Sequence, residues 1–142
     1  MKEVRLIATI ANLDKPTRNG TYYSAECLAK AFEEPLFACA NRNHLIPVTL
    51  SGGHLTGTAT AQLDYPTIKV DMTVALDDCM QKVIESCGIA PAGFADMKYK
   101  AFETANHYQM ENVRLTGWDI VSHPSMSCSM EIVKNDLHNI LF

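Results

Sequence analysis

Serines and histidines recur along this chain, and together those two residue types can cut a peptide bond. A serine hydroxyl attacks a carbonyl only when a nearby base takes its proton. His54 is the candidate base, with Ser51, Ser86 or a member of the Ser125–Ser129 run as candidate nucleophile. The competing reading makes His54 a strand-edge histidine. His123 precedes Pro124 in a turn, exposed or packed on Trp118, while His44, His107 and His138 have no partner in sequence. Ser125, Ser127 and Ser129 alternate with Met126, Cys128 and Met130, which reads as an extended segment with one polar face. Asp64 and Asp71 flank a turn and could face each other across a hairpin, but Asp77 and Asp78 read as helix caps. Gly52, Gly53 and Gly57 follow no phosphate-loop pattern. Cysteines 27, 39, 79, 87 and 128 are odd in number and lack CxxC spacing. We read them as reduced thiols, mostly buried, with no metal site and no cofactor.

The elements that must position these groups follow from bulk properties and periodicity. The 142 residues suit a single domain, 1–142, with one core. A net charge of −4 provides no global basic field for nucleic acid. No apolar run approaches the roughly 20 residues of a membrane helix. The N-terminus runs straight into a strand pattern at Val4–Ile10, unlike a signal peptide. Residues 12–20 form a loop built on Pro16 and Asn19-Gly20. A helix over Ser24–Phe32 has Ser24 as N-cap and ends at Pro35. Leu45–Leu50 is a strand whose Pro47 implies an edge or a late start to pairing. His54–Leu63 and Thr67–Val74 alternate on either side of Asp64-Tyr65-Pro66, with Leu55, Gly57, Ala59 and Ala61 on one face of the first.

From Leu76 to Phe94 the chain reads as a short helix, a glycine stop and a strand. Met80, Val83, Ile84 and Cys87 recur at helical spacing, and Gly88 is placed to end the helix in a left-handed conformation. Ile89 to Phe94 then runs without a single nucleophile. A strand covers Gly93–Ala101, residues 102–111 are loop-like, and Val113–Val121 is the last strong strand. Trp118 is a core or interface anchor. Met130–Phe142 reads as a C-terminal tail, a short helix or an arm. Its apolar residues Ile132, Val133, Leu137, Ile140 and Leu141 are candidates to bind a neighbour. The order of elements gives an α+β fold with a mainly antiparallel sheet or small barrel and two or three helices.

Four motifs in order resemble the prohead maturation proteases of tailed bacteriophages, whose fold the herpesvirus assemblins share. Asn19-Gly20-Thr21-Tyr22-Tyr23-Ser24 before a helix resembles the family's NG-x-x-Y loop. Ile46-Pro47-Val48-Thr49-Leu50, followed by Leu55-Thr56-Gly57-Thr58-Ala59, resembles its P-[VL]-L-L and I-G-x-A strands. Gly88 to Phe94 resembles the region around its G-x-S-x-G-F. Trp118-Asp119-Ile120-Val121-Ser122-His123-Pro124-Ser125 resembles its closing D-[IFL]-V-S-x-P-[AS]. The pieces span about Val4 to Ser125.

The resemblance implies a serine-protease ancestry, with a histidine after the first strand motif, a serine before G-F, and a third acidic or histidine residue orienting the base. This chain departs in both main slots. The histidine slot falls on Ser51, Gly52 or Gly53, and the serine slot on Pro91 or Ala92. The expectation is a protease fold without a protease site, serving a structural role in the virion or in head assembly: capsid decoration, scaffold or head-protein binding. Its partners would be phage capsid or other head proteins and further copies of itself, with no nucleic acid and no membrane, in the virion or host cytoplasm. The short tail leaves no long linker to a scaffold segment. The alternative is an active serine endopeptidase that processes head proteins.

Overall fold

Alternation builds the centre of the molecule. Along residues 67–76 every second side chain, from Ile68 through Val70, Met72 and Val74 to Leu76, is buried. Residues 2–101 and 106–133 are described by the structure, a computed structural model. The elements in chain order are β1 (Lys2–Ile10), β2 (Thr21–Tyr22), α1 (Ala25–Glu33), α2 (Pro35–Arg42), β3 (Ile46–Leu50), β4 (His54–Asp64), β5 (Thr67–Leu76), α3 (Asp78–Val83), a 3-10 turn (Ile84–Ser86), β6 (Gly88–Ala101), β7 (Asn106–Val121) and β8 (Cys128–Ile132).

The fold is mixed α+β, with three α-helices among the described residues and one eight-stranded sheet curled into half a barrel. Strand order is β2-β7-β3-β4-β5-β1-β8, and β6 takes the other edge of β7. Pairing is antiparallel except where β2 and β3 lie parallel to β7. Pro47 sits inside this sheet without loss because β3 meets β7 only from Val48 onward, opposite Trp118. The concave face carries Leu6, Ile10, Val48, Trp118 and Ile120, all 0–1% exposed. Each such side chain contributes roughly 1.5–3 kcal/mol. Leu28 and Ala31 of α1, Phe37 of α2 and Ile84 complete the core. In β4 the buried face is Ala59 and Ala61, while Leu55 on the same strand is exposed.

Short-range capping explains the helix starts. The Ser24 hydroxyl accepts from Cys27 N at 3.0 Å, and Asp77 from Met80 N at 2.8 Å. Several expectations are corrected. Pro35 does end α1, but it also occupies the first turn of α2, where its missing N–H costs nothing. The helix after Asp77 is only six residues long and buries none of its residues, Val83 among them. Gly88 has no left-handed backbone and opens β6. It must be glycine because a Cβ there would sit 2.5 Å from Pro124 Cγ, where the β6 end of the curled sheet meets the chain entering β8. Residues 106–111, read as loop, belong to β7. Met130–Ile132, read as part of the tail, form β8 on β1, with Met130 buried.

Asn41 fastens α2 to the sheet. Its amide donates to Ala61 O at 2.9 Å and accepts from Ala61 N at 2.7 Å, taking the backbone groups that β3 is too short to reach. Arg5 and Asp71 form a two-pronged pair across β1 and β5, at 2.9 and 2.6 Å. Asp71 therefore does not face Asp64, whose partner in the register is Thr67. The five cysteines are unpaired thiols. Cys39 and Cys79 are exposed and the other three half-buried, fewer than the sequence reading placed inside. Burial pushes the Cys128 thiol above its ordinary pKa.

Candidate functional site

The two slots singled out by sequence lie on either side of β7. The histidine slot is the β3–β4 turn. Ser51 has φ 51° and Gly52 φ 75°, and Gly53 N donates to Leu50 O at 3.2 Å. Positive φ at both central positions suits the twist of a tight hairpin. The serine slot is in β6, where Pro91 pairs with Trp118 and Ala92 with Gly117. Between them, Asp119 of β7 pairs with Thr49 on one side and Ala90 on the other.

Asp119 is the chemically richest group at this place. One of its oxygens, Oδ1, accepts from Thr49 Oγ1 at 2.7 Å and from Gly52 N at 2.7 Å. The carboxylate thus holds the turn closed, and no imidazole is hydrogen-bonded to it among the described residues. Pro91 and Ala92 present no hydroxyl, and Gly52 no side chain. The arrangement fixes a hairpin, and no serine–histidine pair is formed in it.

The alternative protease residues are not brought together. His54 is exposed at the start of β4, opposite Leu50, and makes no side-chain hydrogen bond among the described residues. Ser51 is exposed, and its backbone N donates to Ile120 O at 2.9 Å. The Ser86 hydroxyl donates to Val83 O at 2.6 Å and so is used inside its own turn. Ser127 and Ser129 point to solvent on an extended segment, as the alternation implied, and Ser127 N donates to the Asn12 side chain. His123 is exposed, and its carbonyl accepts from Arg18 at 3.0 Å. Among the described residues no serine hydroxyl is hydrogen-bonded to a histidine ring.

The interface residues divide differently from expectation. Trp118 is 0% exposed, so it is a core residue and offers no surface to a partner. Ile132 is half-buried in β8, where its N–H donates to Glu85 at 3.1 Å. Leu137, Ile140 and Leu141 lie outside the described residues, as do His138 and the side chain of His107. The exposed apolar surface that the sequence reading missed is on the β6–β7 hairpin. Phe94 is 74%, Met97 64% and Tyr99 55% exposed, and Tyr99 meets Tyr108 edge-to-face at 5.5 Å. The available signal was Phe94, Met97 and Tyr99 and, across the hairpin, Tyr108 and Met110, aromatic and apolar types that strands accept. No family model matches the chain, and no curated protein or solved structure matches it either.

Proposed function

We propose that this protein is a non-catalytic relative of the phage prohead proteases and acts through its surfaces as a structural component of the virion or of head assembly. Its partners on this reading are capsid or other head proteins, joined with further copies of the same chain. The observation that carries the reading is Asp119. It is the carboxylate between the two slots, and its bonds to Thr49 and Gly52 close a turn where a protease would need a charged group facing a base. The solvent-facing Phe94, Met97 and Tyr99 give a second support, because apolar side chains clustered on one exposed element mark interaction sites.

The test is to incubate purified protein with a fluorophosphonate serine probe and with candidate head proteins, then to read labelling and cleavage by mass spectrometry and co-sedimentation with assembled heads. The expected result is no label, no cleavage and co-sedimentation. His54→Ala is expected to change none of these. A labelled serine that disappears in His54→Ala would establish the endopeptidase instead.

A further inference from the structure

The sheet has a gap in it. One edge of β7 is paired with β6 along the hairpin. The other edge is held by β2 at Tyr108 and Gln109 and by β3 from Trp118 to Ile120. From Met110 to Thr116 no strand pairs with that edge among the described residues, while Gly117 already faces Pro47 of β3. The chain itself explains the vacancy. After Tyr22 it leaves the sheet, forms α1 and α2, and returns only at Ile46. Backbone N–H and C=O groups on such an edge are a template for another strand.

A groove of about 600 Å³ runs along this gap. One wall is a face of α1, including Cys27 and Lys30. The other consists of six successive residues of β7, Gln109 through Arg114. Successive side chains of a strand point to opposite faces. A cavity that touches six in a row therefore follows the strand's edge, where the backbone groups lie. A bulge at Asn112, with φ 50° and its amide bound to Asp96 at 2.9 Å, bends the strand here. Six residues of strand span roughly 20 Å. An apolar pocket of about 310 Å³ shares Arg114 and Glu34 with the groove and is walled by Leu36 and Phe94. Both are largely exposed, at 81% and 74%.

The charges are unequal in availability. Glu26 is paired with Lys30 at 3.5 Å, and Glu34 caps α2 by accepting from Phe37 N at 3.0 Å. Arg114 lines both cavities and has no carboxylate partner among the described residues. Glu111, towards the other end, has no cationic partner there either.

We propose that the free edge of β7 takes up an extended peptide segment of a partner protein as an additional strand between β2 and β3. The segment carries a carboxylate side chain for Arg114 and a large apolar side chain for the Leu36–Phe94 pocket, and it avoids a second carboxylate near Glu111. Main-chain pairing supplies the affinity and the two side-chain sites the selectivity. The proposal does not depend on the state of the former catalytic slots and stands or falls separately from them.

The experiment selects binders to the immobilised full chain from a displayed library of random octapeptides, then measures the enriched peptides in solution. Enrichment of Pro-free sequences with one Asp or Glu and a large apolar residue is expected. Arg114→Glu should weaken them at least tenfold, and exchanging their acid for lysine should restore binding to that variant. Phe94→Ser should weaken them by about the same factor. Both altered residues are exposed in the folded protein, and amide exchange should show new protection confined to residues 110–116. No enrichment, binding indifferent to Arg114→Glu, or protection elsewhere would overturn the proposal. Protection of residues 110–116 that grows with protein concentration without peptide would overturn it in favour of a second copy.

Discussion

From Trp118 to Ile120, β7 has β3 on one side and β6 on the other, and two of these three residues are buried. From Tyr108 to Arg114 the same strand has β6 on one side only beyond its short contact with β2, and the hairpin it forms shows aromatic side chains to water. The difference is one of packing, since the strand and its antiparallel partner are continuous through both halves. One half holds the molecule together. The other half leaves apolar side chains in water, the feature on which the proposed contact rests.

Four measurements would break or sharpen that contrast. The largest effect belongs to Trp118→Ala, expected to remove about 3–5 kcal/mol of stability through the cavity it leaves. Urea unfolding reads this directly, and a loss below about 1 kcal/mol would mean the closed half is not the structural one. Gly88→Ala places a methyl group 2.5 Å from Pro124 Cγ and should cost about 1–3 kcal/mol by overpacking. On the open half, Phe94→Ser and Tyr99→Ser should each shift stability by no more than about 0.5 kcal/mol. They should reduce association with head proteins in the co-sedimentation assay; a large loss of stability would assign the hairpin to the core.

The smallest effect concerns Cys128. Burial raises its thiol pKa, so the folded state holds that proton more tightly than the unfolded chain. Its contribution to stability is flat well below the ordinary thiol pKa of about 8.5 and declines as pH rises through it. In the folded protein iodoacetamide should modify the exposed Cys39 and Cys79 before Cys128. Equal rates would show that the β8 edge opens readily.

What could be read in the sequence was local. Ser24 and Asp77 cap their helices because the bond reaches three residues ahead, and the alternation in β5 needs only its own ten residues. What could not be read depended on distant partners. Gly88 looked like a helix stop, yet its reason is Pro124, which no short window contains. Pro35 looked like an ending, and the same ring that stops one helix starts the next. The polar stretch leading into Met110 concealed a strand because its order comes from pairing with residues 94–101. The sequence reading placed the slots at Gly52, Pro91 and Ala92, but their position on either side of β7 and the two bonds to Asp119 required the sheet. The free edge of β7 was hidden for the same reason: an unpaired edge belongs to the arrangement of strands, and no single strand's sequence records it.

The position of β1 has a consequence for how the protein is made. β1, made before every other described strand, pairs with β5 on one side and with β8 on the other. Its second partner follows roughly 120 residues later, which at ribosomal speeds is roughly 6–24 s. Through that interval Leu6, Ala8 and Ile10 have one open edge beside them, and the half-barrel cannot be finished. Long-range pairing of this kind slows folding and leaves a nascent chain open to wrong associations. The yield of folded protein should therefore depend on how promptly residues 128–132 reach β1, and slower synthesis would prolong the exposure of that edge.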